Sequence, residues 1–257
     1  MKIAANGLDF TALNEKIKSS DGNCEIVGCL GQRFIADGLG NGKVVINGIP
    51  GNALGAYLNG AEITVRGNAQ DAVGDTMNDG KIVIHGSIGD TAGYAMRGGE
   101  IYVENNAGYR AGIHMKEYKD KKPVIVIGGR TGSFLGEYQA GGLIIVLGRN
   151  SDGKPTVGNF PCTGMHGGKM VIRGSVEDIS FPHQVNLREA TADDMAEIMP
   201  FLKNYCNYFD FDIITFKPGH FFSRGEANFR DFFPCILVQL GDFLRDKVGD
   251  FRFGLFF

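Results

Sequence analysis

The sequence predicts an all-β chain, a single-stranded right-handed parallel β-helix with short helical caps at its N- and C-terminal ends. Three observations carry that prediction. Short segments of alternating β-branched residues recur at steps close to 19 residues. Between them, glycines recur at fixed phase as G-x-x-G-x-x-x-G. Most of the 39 glycines in the 257-residue chain fall between Gly22 and Gly174.

Residues 1–21 read as the N-terminal cap. Within them "DFTALNEKIKSS" predicts a short helix with Leu13 and Ile17 turned inward. Residues 22–187 read as about eight rungs. The repeating segments are "GNCEIVG", "GKVVING", "AEITVRG", "GKIVIHG", "GEIYVEN", "KPVIVIG", "GLIIVLG" and "GKMVIRG", starting at 22, 42, 61, 80, 99, 122, 142 and 168. Their third positions (Cys24, Val44, Ile63, Ile82, Ile101, Val124, Ile144, Met170) and fifth positions (Ile26, Ile46, Val65, Ile84, Val103, Val126, Val146, Ile172) form two inward ladders. Alternation with period two marks a strand, and stacked rungs lie about 4.8 Å apart.

The fourth positions, Val45, Thr64, Val83, Tyr102, Ile125, Ile145 and Val171, point outward and are mostly apolar. Such a stripe calls for a cover: a terminal segment, a sister subunit or a partner protein, with the last two favoured. The second positions, Lys43, Glu62, Lys81 and Glu100, predict a ladder of alternating charge on one face.

The linking motif appears as Gly48, Gly51, Gly55; as Gly86, Gly89, Gly93; and as Gly129, Gly132, Gly136. Its recurrence in rung after rung marks corners with positive φ, which glycine adopts without strain. A phosphate cradle needs one such loop followed by a helix, not a series. Three residues after the last glycine runs an apolar column, Leu58, Met77, Met96 and Met115. Residues 188–257 read as a C-terminal helical and irregular segment. "TADDMAEIM" opens with Thr191 as N-cap and Asp194 three positions on. Ile236, Leu237, Leu240, Phe243, Leu244, Lys247 and Val248 would share one helical face.

Composition narrows the function. The net charge is −3, so no nucleic-acid surface is expected. The N-terminus lacks an apolar signal region, and no apolar run reaches the roughly 20 residues of a membrane span. Cys24, Cys29, Cys162, Cys206 and Cys235 are scattered, without C-x-x-C. That spacing suits free thiols in the cytoplasm and argues against a cluster held by this chain alone.

The stretch "GNAQDAVGDTMNDGKIVIHGSIGDTAGYAMRGGEIYVENNAGYRAGIHMKEYKD", with "PVIVIGGRTGSFLGEYQAGGLIIVLG" and "GMHGGKMVIRG", closely resembles the C-terminal G-x-x-G-x-x-x-G domain of the glutamate synthase large subunit. The likeness covers roughly residues 1–210 and looks like a stand-alone form; a related β-helix occurs in one of the subunits of formylmethanofuran dehydrogenase. The resemblance implies a non-catalytic scaffold subunit, with no catalytic, cofactor-binding or metal residue of its own. The amidotransferase, FMN and iron–sulfur clusters would belong to partner subunits, and a homo-oligomer through the outer apolar stripe is a second expected contact. From about Asp212 onward the chain departs from the family, and 13 of its 19 Phe residues lie from Phe209 on.

A search for chemistry in the chain itself finds few combinations. His85, His114, His166, His183 and His220 form no H-x-x-x-H. His114 and His166 are expected near one lateral face. Ser133 lies in a corner turn without a G-x-S-x-G elbow, and Asp71, Asp75, Asp79 and Asp90 lie near neighbouring corners. The alternatives to a scaffold are a relative of the β-helical formylmethanofuran dehydrogenase chain and a stand-alone esterase-type hydrolase using Ser133 or His114.

Overall fold

The computed structural model describes residues 1–174 and 176–213, with the backbone of 235–240. The inward Ile and Val residues form one strand per rung: β1 (Lys2–Ala4), β2 (Cys24–Leu30), β3 (Lys43–Ile49), β4 (Asn59–Arg66), β5 (Asp79–Ile84), β6 (Glu100–Val103), β7 (Val124–Ile127), β8 (Ala140–Val146) and β9 (Gly167–Arg173). They pair in parallel in sequence order, giving a β-solenoid of about eight turns. The register stacks Val44, Ile63, Ile82 and Ile101 above one another, and likewise Ile46, Val65, Ile84 and Val103. These residues are buried, each 1% exposed or less. Each contributes roughly 1.5–3 kcal/mol of apolar burial.

One rung departs from the sequence-based alignment. Ile101 pairs with Ile125, and Ile125 with Ile144, so Ile125 and Ile127 face the interior. Val124 and Val126 face outward. The segment "VIVI" is apolar at every position, so alternation within it carries no information. A one-residue slip then exchanges its two faces. With the pairing in hand the steps are 24 and 19 residues, so the second returns to the common spacing and the first holds five extra residues.

The turns between strands have a backbone of their own. After β3, alternate residues Ala53, Gly55 and Tyr57 take φ values of 62, 64 and 57°. The same triplet recurs as Ala72, Gly74, Thr76; as Thr91, Gly93, Ala95; as Arg110, Gly112, His114; as Phe134, Gly136, Tyr138; and as Phe160, Cys162, Gly164. The first and third N–H groups donate upward to the next rung, as Ala53 to the Asp71 carbonyl (2.9 Å) and Tyr57 to that of Asp75 (2.8 Å). The middle one donates downward, as Gly55 to the Ile35 carbonyl (2.9 Å).

This corrects the reading of every motif glycine as a positive-φ corner. Gly51, Gly89 and Gly132 have ordinary φ, as do Gly86 and Gly129, whereas the third glycine lies at 64–67° in each of these turns and Gly48 at 137°. The second glycine is needed for space. A Cβ on Gly132 would lie 2.8 Å from both the Gly108 carbonyl carbon and the Tyr109 nitrogen of the rung below.

The two ends are closed differently. At the N-terminal end helix α1 (Phe10–Ser19) buries Leu13 and Ile17, as its periodicity predicts. Its Asn14 imitates a missing rung. The side-chain oxygen accepts from the Ala36 N–H (2.8 Å), and the amide donates to the Phe34 carbonyl (2.7 Å). At the other end β10 (Val185–Glu189) is followed by α2 (Ala192–Phe209). A further strand, β11 (Cys235–Leu240), lies antiparallel between β9 and β10. Residues 236–240, expected on a helical face, are therefore strand: the open edges of β9 and β10 offer backbone partners on both sides. Phe243, Leu244, Lys247 and Val248 lie outside the described residues.

The outer apolar stripe has its cover within the chain. Met195, Ile198, Leu202, Tyr205, Cys206 and Phe209 of α2 pack on Val83, Tyr102, Val126, Ile145 and Val171. The expected partner or sister subunit on this stretch is replaced by a terminal segment. Adjacent in the chain, α2 reaches the stripe without the entropy cost of association. Val27, Val45 and Thr64, farther down the sheet, are half-buried.

Candidate functional site

The polar residues at the corners are taken up by rung-to-rung bonding. Asp71 Oδ1 accepts the Asp90 N–H (2.9 Å), and Asp90 Oδ1 accepts that of Tyr109 (2.8 Å). A parallel column runs from Asn68, which accepts the Ser87 N–H, to Asn106, which accepts that of Arg130, both at 2.8 Å. Ser133 belongs to this system, since its hydroxyl oxygen accepts the Asn159 N–H at 3.1 Å. Among the described residues no histidine hydrogen-bonds to it. Asp75 accepts the Thr76 hydroxyl (2.8 Å). Asp79 accepts from Gly80 N–H and Lys121, both at 2.8 Å. The Lys121 bond outweighs burial and lowers the Asp79 pKa. Sequence reasoning placed these carboxylates near one another but missed their ladders. Polar residues recurring 19 positions apart were the available signal.

The histidines occupy separate settings. His85 meets the edge of Phe209 at 5.1 Å between ring centres. His114 stacks on Tyr138 (5.1 Å, 11°) and meets Tyr94 edge-on. His166 donates its N–H to the Gln139 carbonyl (2.7 Å), two residues past the turn position that His114 holds in its own rung. His183 lies past the last parallel rung, and His220 lies outside the described residues. No group of three or more His, Cys, Asp or Glu could hold a metal ion among the described residues. Cys24, Cys29, Cys162 and Cys206 are free and buried. Burial pushes the Cys29 thiol up to about 11 and that of Cys162 to about 12, so both stay protonated and unreactive near neutrality.

Two surface features remain. A groove of about 370 Å³ at the start of β4–β6 is lined by Glu62, Asp79, Glu100, Lys81, Lys121 and Lys122. Its charges are mutually paired: Lys121 with Asp79 (2.8 Å) and Lys81 with Glu100 (3.8 Å), while Lys122 reaches Glu197 of α2 (2.5 Å). The expected ladder continues downward as Lys43–Glu62 (3.0 Å).

The second feature is a ridge of aromatic side chains along the turns. Phe34, Tyr57, Tyr94, Tyr109, Tyr138 and Phe160 are each between 40% and 56% exposed. Phe134 packs on Phe160 at 5.5 Å. Arg110 lies over Phe134 and pairs with Glu137 (3.1 Å). Tyrosine, phenylalanine and arginine together have the composition of a recognition surface. No helix among the described residues is long and apolar enough to cross a membrane.

Comparison with known proteins places this geometry. The family model described as the GXGXG motif matches residues 13–216. An uncharacterized protein of Methanocaldococcus jannaschii is 46% identical over 219 residues, which covers 81% of this chain and 84% of that protein.

Proposed function

The chain belongs to the GXGXG motif family, to which the C-terminal domain of glutamate synthase also belongs, and on that premise we propose that it is a scaffold subunit of a glutamate synthase-like complex. In this reading it positions an amidotransferase and an FMN- and iron–sulfur-bearing synthase and supplies no reacting group. One observation carries the proposal. The corner residues suited to chemistry, Ser133, Asp71 and Asp90, are used to bind one rung to the next, while the aromatic ridge is left facing outward. A rigid stack of short turns holds such a ridge in fixed geometry, as docking requires.

The test is reconstitution. Co-expression with amidotransferase and flavin-bearing synthase chains from the same genome should give one co-eluting complex with glutamine-dependent formation of glutamate. Omitting this chain should abolish its assembly. A complex that forms and turns over equally well without the chain refutes the proposal. So does ester hydrolysis by the isolated chain that Ser133→Ala removes.

A further inference from the structure

Along the turns, the outward side chains change in size and charge at one level. The first left-handed residues of successive turns are Ala53, Ala72 and Thr91, then Arg110, Phe134 and Phe160. The third ones repeat the change, with Thr76 and Ala95 below His114 and Tyr138. These turns are stacked in register. Thr91 donates its N–H to the Tyr109 carbonyl (2.8 Å), Arg110 to that of Ser133 (2.9 Å) and Phe134 to that of Asn159 (2.9 Å). Six turns at about 4.8 Å per rung make a face about 24 Å tall. Its lower half is a floor of small, half-buried side chains, Ala72, Thr76, Thr91 and Ala95. Its upper half is raised by the exposed side chains of Arg110, His114, Tyr138 and Phe160. Charge divides at the same level: Asp71 and Asp90 lie exposed beside the floor, and Arg110 lies exposed above it. Phe34, below the floor, is held by Phe10 of α1 at 5.7 Å between ring centres.

A face that is low and acidic in one half, raised and aromatic with a cation in the other, is complementary to itself turned upside down. A twofold axis across the face at the level of residues 91–114 sets Arg110 of one copy against Thr91 of the other, beside Asp90. Phe134 then meets Ala72, and Phe160 meets Ala53. His114 meets Ala95, Tyr138 meets Thr76, and every contact occurs twice. The Tyr109 hydroxyl comes opposite the Asp90 carboxylate, to which it can donate. Asp75 comes opposite Glu137, but Asp75 already accepts the Thr76 hydroxyl (2.8 Å) and Glu137 is paired with Arg110 (3.1 Å). Aromatic rings and an arginine seated in hollows are where the energy of an interface concentrates. A partner of uniform relief or charge would fit one half of this face and leave the other unfilled.

We infer that two copies of this chain pair side by side and antiparallel through the turn face of residues 53–160. The occupant is a second copy, because its own large and small residues alternate in the order that the face requires. The inference deepens the scaffold reading: a second copy is the first partner of the aromatic ridge, and other chains meet a twofold scaffold. The outer sheet face with α2 lies outside this contact and stays open to them.

The experiment uses the full chain without partner chains. At about 100 μM, a hundredfold above a micromolar dissociation constant, sedimentation should give twice the 27.8 kDa chain mass. Phe134→Asp sets a carboxylate against Asp71 and Asp75 of the other copy, at a left-handed position that Asp tolerates. It should weaken the dimer at least about a hundredfold while circular dichroism stays that of the folded chain. Phe34→Asp, below the matched floor, should leave the dimer intact. Ala72→Cys with Phe160→Cys tests the orientation. The two sites are four turns, about 19 Å, apart in one chain and within about one turn of each other across the axis. A short bis-maleimide should therefore join two chains of the double variant. Neither single variant should be joined, nor the parent chain, in which Cys24, Cys29, Cys162 and Cys206 are buried. A chain that stays monomeric at this concentration refutes the inference. A dimer that survives Phe134→Asp, or that the double variant does not cross-link, lies elsewhere on the molecule and refutes it equally. None of these readouts depends on glutamine-dependent turnover, so the scaffold reading stands or falls separately by reconstitution.

Discussion

At the scale of single residues, glycine performs two distinct tasks in this chain. Gly93 sits at φ 67° between two left-handed neighbours, Thr91 and Ala95. Gly132 has ordinary φ but no room for a Cβ against the backbone of the rung below. Gly132→Ala should therefore lower stability by about 1–3 kcal/mol through overpacking alone, seen as a drop in Tm of several degrees. An unchanged Tm would remove the close-approach argument. The reverse test lies at Ala72, which takes φ 58° with a Cβ present. Ala72→Gly should relieve strain and raise stability by up to about 1 kcal/mol in chemical denaturation. The glycine spacing was legible in the sequence, but its double cause was not. A motif reports where glycine recurs, whereas φ and the distance to the next rung belong to the folded backbone.

At the scale of elements, α2 is the clearest case of a local signal with a non-local purpose. Its start was readable: the Thr191 oxygen accepts the Asp194 N–H, and the Asp194 carboxylate accepts the Thr191 N–H (2.7 Å). Its destination, the outer face of β5–β9, was not, because an apolar helical face does not name its partner. Glu197 fixes the docking by pairing with Lys122 (2.5 Å) and Lys169 (2.8 Å), from two separate rungs. Arg188, followed by the Thr191 hydroxyl and N–H, holds the Asp194 carboxyl well below the usual carboxylate range. A depressed folded-state value contributes stability above the unfolded value of about 3.9, and that contribution is lost as pH falls through the folded one. An acid titration followed by circular dichroism at 222 nm should show this limb. Asp194→Asn should flatten it and lower stability near neutrality. An identical acid limb in the variant would mean that other carboxylates govern it.

At the scale of the whole molecule, each rung touches chiefly the rungs beside it, so the solenoid is a stiff rod with different faces for different contacts. The outer sheet face carries the charge ladder beside the stripe that α2 closes, and the turns carry the aromatic ridge. If the ridge is a docking surface, Tyr94→Ser with Tyr138→Ser should weaken co-elution with partner chains at least tenfold. Both rings are 40% or more exposed, so the Tm should move little. A parallel loss of Tm and assembly would make the ridge a structural feature instead.

The sequence by itself determined the parallel stack, its two interior ladders, the two helix starts and the charge column on the outside. These rest on interactions between neighbouring rungs, and a repeat prints such interactions at a constant step. The tertiary structure alone decided which face of Val124–Ile127 turns inward, what covers the apolar stripe, that 235–240 is a strand, and that Ser133, Asp71 and Asp90 serve the backbone. Each of those outcomes depends on a partner distant in the chain or on the pairing of uniformly apolar residues. For them, local periodicity is silent, and the hydrogen bonds and buried contacts of the assembled stack select the answer.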